Sequence, residues 1–251
     1  MSNAAAGWLL PNHNFGLARQ LEDGVRAFLL DTHKFHDAAQ PDVQAWLCHG
    51  KCELGRLPLR DGLAIFNTFL NDHPDEVLVL LFEDGVPPQE VATLFVETGL
   101  QKHVFTGDPA DGWPTLADLV EGGGRLIVTA ESKGPPPAWH HRFWDLGWDT
   151  PYSFKGLDQL AADSGAGDSC RHNRGTTSGS LFLLNHWVAN SLGLPDPEGA
   201  ITANSHGFLL DRAQRCVARW DHMTNIVAVD FHDVGDVIGV VDALNGVPSA
   251  P

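Results

Sequence analysis

The stretch EVLVLLFE, residues Glu76–Glu83, carries the strongest indication of the fold in this chain. Its middle is apolar throughout, and it ends in two neighbouring carboxylates, Glu83 and Asp84. A strand that is apolar on both faces is typical of a parallel sheet covered by helices on both sides. The stretch therefore predicts the centre of an α/β sheet, with acidic side chains at the point where the strand ends.

Five further β-rich stretches share this apolar character, and helical patterns separate several of them. The stretches are Val25–Asp31, Val43–His49, Arg125–Ala130, Leu181–His186 and Asn225–Phe231. The helical patterns begin at Asp61 and then cover Gln89–Thr98, Thr115–Glu121 and Phe208–Arg219. Alternating strands and helices predict a mainly parallel sheet. The region of about residues 133–177 is rich in Gly, Pro, Trp and Asp and is expected to form loops.

Length, composition and charge limit the possible functions. A chain of 251 residues with 43% hydrophobic side chains suits one α/β barrel with a full core. No linker divides it, so we expect one domain over residues 1–251 and a monomer. The 16 basic and 32 acidic residues give a formal net charge of -16. This charge argues against nucleic acid as a partner and weakens long-range attraction to an anionic membrane.

The ends of the predicted strands carry most of the candidate functional side chains. Five of the six strands finish with, or just before, an ionisable residue, and these residues are Asp31, His49, Glu83, Glu131 and Asp230. The sixth strand ends at Asn185 and His186. In parallel α/β barrels, functional side chains collect at the C-terminal ends of the strands. For any single residue, the alternative is a polar side chain that only marks the change from strand to loop.

Four cysteines, Cys48, Cys52, Cys170 and Cys216, allow two disulfides with three possible connectivities. Alternatively, the first two could form half of a zinc site. Disulfides would indicate an oxidising compartment. However, the first ten residues, MSNAAAGWLL, have neither the basic segment nor the sustained apolar run of a signal peptide. The cysteines therefore favour an oxidising compartment, whereas the N-terminal residues lack the signal peptide that would direct the chain there.

Three stretches carry a family resemblance when their order and spacing are considered together. They are GLARQLEDGVRAFLLD (residues 16–31), WLCHG (46–50) and DEVLVLLFED (75–84). They resemble the X domain of phosphatidylinositol-specific phospholipase C and, more closely, the bacterial and plant PLC-like phosphodiesterases. The later stretches WPTLADLVEGGGRLIV, LFLLNHW and NIVAVDF fit the same group, so the resemblance covers nearly the whole chain. It implies a TIM-type (β/α)8 barrel and a phosphoric diester hydrolase or lyase that acts on a phospholipid or a related phosphodiester.

The resemblance also implies roles for the residues at the strand ends. His49 matches the family histidine that acts as general acid toward the leaving alkoxide, and the pKa of an imidazole suits this step. Asp230 matches an aspartate that orients the general base. Asp31 and Glu83 match calcium-binding positions and would suit Ca²⁺ or Mg²⁺, although Leu29 stands where those enzymes have another acidic ligand. We expect Glu131, Asn185 and His186 to contact the substrate.

The family's general base is a histidine in a T-H-N type motif at the end of the first barrel strand. In close relatives, this motif lies immediately upstream of a segment that resembles MSNAAAGW. We therefore expect this chain to lack the first strand and the base, with His13 as the nearest replacement. A start codon assigned too far downstream would explain this, and would also predict a secreted full-length protein; a real truncated form is the other explanation.

The missing base leaves two functions open. The first is an enzyme of the phospholipase C type that makes transient contact with a membrane surface. The alternative is a catalytically inactive binding or surface protein on the same barrel. The shared presence of His49, Asp31, Glu83 and Asp230 favours the enzyme, because an inactive relative would be expected to have lost several of them.

Overall fold

A computed structural model of the chain describes residues 8–247. The chain forms two compact units. Of the described residues, unit 1 contains 8–9 and 15–143, and unit 2 contains 10–14 and 144–247. This division does not test the prediction of one domain over residues 1–251, which stays a prediction. The predicted lack of a first strand and a base concerns the chain before Trp8, outside the described residues, and also stays a prediction.

Unit 1 is built on a six-stranded sheet with the order β3-β2-β1-β4-β5-β6. Its strands are β1 (Ala27–Lys34), β2 (Ala45–Leu47), β3 (Leu57–Pro58), β4 (Leu78–Asp84), β5 (Leu126–Ala130) and β6 (His140–Arg142). Strands β1, β4, β5 and β6 run parallel, which confirms the stretch around β4 as a central strand. Strand β2 pairs antiparallel with β1 because the connection between them contains no crossover helix.

The helices of unit 1, apart from the first, agree closely with the sequence patterns. They are α1 (Leu17–Glu22), α2 (Leu59–Asp72), α3 (Pro88–Glu97) and α4 (Leu116–Gly122). Helix α2 buries Leu63, Phe66 and Leu70 in the same core cluster as Leu80 and Phe82 of β4. The core of unit 1 thus packs against the apolar strand that the sequence indicates, and this packing holds the acidic end of β4 in place.

Unit 2 contains a three-stranded parallel sheet with the order β7-β8-β9. Its strands are β7 (Gly147–Asp149), β8 (Leu181–His186) and β9 (Ile226–Val229), and its helices are α6 (Leu157–Ala161), α7 (Pro197–Ala203), α8 (His206–Trp220) and α9 (Val237–Leu244). The four-residue helix α5 (Phe143–Leu146) precedes β7. Strands β6 and β7 lie in the region predicted to be loop. That prediction is wrong for them because three residues are too few to show a strand pattern.

The two predicted disulfides are confirmed, and the structure decides their connectivity. Cys48 pairs with Cys52 in unit 1, and Cys170 pairs with Cys216 in unit 2. Since the first two sulfurs bond to each other, the alternative of a zinc half-site is wrong in this state. Within residues 8–247, no helix has the length and apolar character needed to cross a membrane.

Candidate active site

Three carboxylates lie within or directly after neighbouring parallel strands at one edge of the sheet in unit 1. Asp31 in β1 lies in register with Glu83 in β4, and Glu131 follows β5 directly. The Glu131 amide donates a hydrogen bond of 2.9 Å to the carbonyl of Phe82, which ties the end of β5 to β4. Asp31 is buried at 8% exposure, whereas Glu83 is exposed. The structure therefore brings together the two predicted metal ligands and one of the predicted substrate contacts.

Two short hydrogen-bond networks fix these strand ends. The Thr32 hydroxyl donates to the Glu83 carbonyl at 2.6 Å and accepts from the Val86 amide at 3.1 Å. One carboxylate oxygen of Asp84 accepts from both the amide and the hydroxyl of Ser132, each at 2.6 Å. Because Ser132 follows Glu131, Asp84 holds the loop after β5 beside the end of β4.

The carboxylates in unit 1 repel one another. Partial burial of its carboxylate, followed by the charges of Asp31 and Glu131, raises the pKa of Glu83 to about 6. A divalent cation would relieve this repulsion, and hard carboxylate oxygens are the donors that Ca²⁺ and Mg²⁺ prefer. In the described part of the chain, these three carboxylates do not form a cluster with all ligand atoms within 4.8 Å of one another. Carboxylates are donors of the kind that suits Mg²⁺, which usually takes its remaining ligands from water and a substrate phosphate.

His49 lies next to this group on an exposed loop. The Cys48 amide donates a hydrogen bond of 3.2 Å to the Asp31 carbonyl, and the disulfide to Cys52 closes the loop. Desolvation by the surrounding atoms lowers the pKa of His49, and the Asp31 charge opposes that shift. An exposed imidazole in this position can deliver a proton to a leaving group. His33 lies within 4.8 Å of both cysteine sulfurs, but the disulfide already uses them.

Asp230 occupies a buried position at the end of β9 in unit 2. Burial raises its pKa to about 6, although a hydrogen bond of 3.0 Å from the Asn12 side chain opposes the shift. His13, the predicted replacement base, belongs to the same network, since its Nδ1 accepts from the His232 amide at 3.4 Å. Burial and the His232 charge lower the pKa of His13 to about 3. Such a low pKa makes His13 a weak general base near neutral pH.

Asn185 and His186 are fully buried at the end of β8. The Asn185 amide donates to a carboxylate oxygen of Asp149 at 3.0 Å. Its side-chain oxygen Oδ1 is buried without a hydrogen-bond partner among the residues that the structure describes. The ring nitrogens of His186 contact the Ala203 carbonyl at 2.9 Å and Arg212 at 3.1 Å. These contacts hold both side chains inside unit 2, and their predicted substrate contacts stay predictions.

The sequence patterns missed one polar group in unit 2. Asp149, fully buried at the end of β7, accepts two hydrogen bonds from the Arg174 guanidinium, at 2.9 and 2.7 Å. The same guanidinium lies 4.3 Å from the ring centroid of Trp144 and 4.6 Å from that of Tyr152. A planar, partly exposed arginine in such a place can donate to an anionic group. The signal was again a carboxylate at a strand end, but β7 is too short to be recognised.

Comparison with known proteins identifies similar sequences over nearly the whole chain. A family model described as PI-PLC X 1 matches residues 3–245. PI-PLC X domain-containing protein 1 of Arthroderma benhamiae is 28% identical over 94% of this chain and 79% of its own length. PI-PLC X domain-containing protein At5g67130 of Arabidopsis thaliana is 28% identical over 94% of this chain. An uncharacterized secreted protein of A. benhamiae is 24% identical, and the chain spans 55% of the length of each of the last two.

Solved structures show the same fold at low sequence identity. The phosphatidylinositol-specific phospholipase C from Listeria monocytogenes has a TM-score of 0.58 and 14% identity, over 94% of this chain and 84% of that one. A pentafluoro-Phe variant of the Staphylococcus aureus enzyme has a TM-score of 0.60 and 13% identity, over 99% of this chain and 88% of that one. The likeness confirms the predicted fold class, an α/β fold of the PLC-like phosphodiesterase kind.

Proposed function

Because the chain belongs to the PI-PLC X domain family, we propose that it is a phosphodiesterase that cleaves a phospholipid or a related phosphodiester. The observation that carries the proposal is the position of His49. This exposed imidazole is held beside Asp31 by the Cys48 amide, at the edge of the sheet where β4 carries Glu83 next to its last residue. A proton donor next to a group of carboxylates suits the cleavage of a phosphate ester, in which a leaving oxygen must be protonated.

In the proposed reaction, a hydroxyl of the substrate attacks phosphorus while the bond from phosphorus to the lipid oxygen breaks. His49 donates its proton to that oxygen, so the lipid leaves as a neutral alcohol and the phosphate becomes a cyclic diester. Water can later open this ring. The attacking hydroxyl loses its proton to a base. In the family, that base is a histidine, and we propose that Asp230 orients it.

Asp31 and Glu83 are the residues that would hold Ca²⁺ or Mg²⁺. A bound cation would supply positive charge next to the phosphate oxygens as negative charge develops on them. Asp31 and Glu83 would themselves keep their positions through the pairing of β1 with β4. We propose Glu131, at the same sheet edge, as a substrate contact.

We further propose that the protein works outside the cytoplasm. The two disulfides are typical of an oxidising compartment. One relative is named an uncharacterized secreted protein, which supports the same location. Contact with a membrane surface would be transient, because the net charge of -16 provides no attraction to anionic lipid.

A leaving-group experiment tests the role of His49. We expect the protein to cleave phosphatidylinositol, and His49→Ala to lower kcat/KM by about 10²–10⁴-fold. With a nitrophenyl phosphodiester the loss should be far smaller, because nitrophenolate leaves without a proton. His36→Ala, which removes another exposed histidine, serves as the control. Each protein should be assayed with Ca²⁺, with Mg²⁺ and with EDTA.

The assay also separates the two functions that the sequence leaves open. It should include a form that is extended in frame upstream of Met1, to test whether such a form is more active. If neither form cleaves any phosphodiester under any metal condition, the enzyme proposal is wrong and the inactive binding protein replaces it. Equal losses on both substrates would mean that His49 is not the general acid.

A further inference from the structure

Phe231, immediately after Asp230, adopts a backbone conformation that is unusual for its residue type. Its φ is 51°, in the left-handed region. A bulky residue other than glycine pays a steric penalty there and keeps such a conformation only when its surroundings impose it. Phe231 is buried at 3% exposure, so it cannot relax toward solvent. Some neighbouring group must therefore stabilise this turn.

One group that stabilises the turn is the side chain of Asn204, which is 1% exposed. Its amide nitrogen donates to two successive carbonyls, that of Asp230 at 2.8 Å and that of Phe231 at 3.1 Å. Two donors on one planar amide match two carbonyls that the left-handed residue brings to the same side. An apolar side chain at position 204 would leave both carbonyls without this donor.

The backbone of Asn204 holds the other end of the same turn. Its carbonyl accepts a hydrogen bond of 2.9 Å from the Asp236 amide. Gly235, with a φ of 81°, approaches so closely that a Cβ on it would overlap this carbonyl oxygen. Residues 230–236 thus wrap around one buried asparagine, which contacts both ends of the segment.

Asn204 is itself placed by two helices. It follows the last residue of α7, and its amide donates to the Ala200 carbonyl at 2.8 Å. Helix α8 begins two residues later, at His206. A residue fixed between two helices has little freedom of movement, so its side chain restricts the movement of the turn to which it is hydrogen-bonded.

We infer that Asn204 is a positioning residue that holds the turn carrying Asp230 and His232, and so sets the direction of the Asp230 carboxylate. A left-handed residue turns the chain sharply, so the residues on either side of it depend on its exact φ and ψ. The inference deepens the proposed function, since Asp230 is the residue proposed to orient the base. Asn204 touches no reacting atom in this scheme and acts only through the turn.

Hydrogen exchange tests the inference without reference to activity. In Asn204→Ala, we expect the amides of Phe231, Val234 and Asp236 to exchange at least about tenfold faster, because the turn loses its donor. The amide of Leu184 in β8 should exchange at the unchanged rate. Ser205→Ala is the matched control, since Ser205 is the next residue and its hydroxyl donates to the Thr202 carbonyl. An unchanged turn, or an equal acceleration in β8, would overturn the inference.

Kinetics then test whether the turn matters to the reaction. We expect Asn204→Ala to lower kcat about tenfold or more while KM changes less than about twofold, because a misdirected carboxylate impairs chemistry more than binding. With Phe231→Gly as the background, the loss caused by Asn204→Ala should shrink, because glycine adopts the left-handed conformation without help. A kcat per folded molecule that stays at the level of the parent would overturn the positioning role.

The two readouts also separate this inference from the proposed function. If neither the protein nor its extended form cleaves a phosphodiester but the turn exchanges faster in Asn204→Ala, the proposed function is wrong and the role of Asn204 in holding the turn stands. If cleavage is normal and the turn does not respond, the role of Asn204 is wrong and the proposed function stands.

Discussion

Glu83 and Asp230 both have pKa values raised to about 6, but the physical causes differ. At Glu83, two neighbouring carboxylates add to the effect of burial, whereas at Asp230 burial acts against a hydrogen bond from Asn12. In both cases the folded protein binds the proton more tightly than the unfolded chain does. The fold therefore disfavours the charged carboxylate. The free energy of unfolding falls as pH rises from the ordinary pKa of a carboxyl group to about 6.

Replacement of Glu83 by glutamine should stabilise the protein above this pH range. At pH 8, Glu83→Gln removes a repelled charge, and we expect the free energy of unfolding to rise by at most about 1 kcal/mol, since the side chain is exposed and solvent weakens the repulsion. At pH 4 the gain should vanish, because the wild-type carboxyl is then protonated. Thermal unfolding at both pH values measures the effect, with Glu121→Gln on the surface of α4 as the control.

The same variant tests the proposed metal ligands. Ca²⁺ or Mg²⁺ should raise the Tm of the wild-type protein at pH 8, because an ion that binds only the folded state stabilises it. The rise should be smaller in Glu83→Gln and unchanged in Glu121→Gln. A wild-type Tm that does not respond to either ion would contradict the proposed site.

At the scale of elements, the two disulfides have different roles, one in the position of a loop and one in stability. The first joins cysteines four positions apart and closes the loop that carries His49, whereas the second joins cysteines 46 positions apart and packs in the core of unit 2. The stabilisation from a disulfide grows with the length of the closed loop in the chain-entropy model. The disulfide that closes the longer loop should therefore contribute more to stability. The disulfide that closes the shorter loop should contribute more to the position of His49.

Double serine variants separate the effect of each disulfide on stability from its effect on catalysis. Cys170→Ser with Cys216→Ser should cost about 4 kcal/mol of unfolding free energy, and Cys48→Ser with Cys52→Ser about 2 kcal/mol. By contrast, kcat per folded molecule should fall about tenfold only in the second pair, because the His49 loop is then less restrained. Denaturant unfolding and the cleavage assay measure the two effects. Equal kcat values in both double variants would mean that the short disulfide does not position His49.

At the scale of the whole molecule, the net charge of -16 affects any encounter with lipid. We expect cleavage of a phospholipid in phosphatidylcholine vesicles to slow at least about threefold when about 30 mol% phosphatidylserine is added at low salt. High salt should remove most of the difference because it screens the repulsion. A soluble short-chain substrate is the control, since its cleavage should not depend on vesicle charge. Faster cleavage on the anionic vesicles would contradict the expectation.

Much of the fold could be predicted because its signals are local. The apolar run of β4 and the spacing of apolar residues in α2 are properties of neighbouring residues, so the sequence shows them directly. The carboxylates follow from the same pattern, because each stands where an apolar run stops, although β1 continues past Asp31 to Lys34. This is why Asp31, Glu83 and Asp230 could be identified before their surroundings were known.

Only the tertiary structure decided which groups surround those residues. The Asn204 side chain meets Asp230 across 26 positions of the chain, and Arg174 meets Asp149 across 25. Strand β7 has three residues, and its pairing with β8 defines it better than its own sequence does. The raised pKa values depend on burial and on charges from other strands. Hydrogen bonds, burial and charge interactions act between groups that folding brings together, and such groups leave no periodic pattern in the sequence.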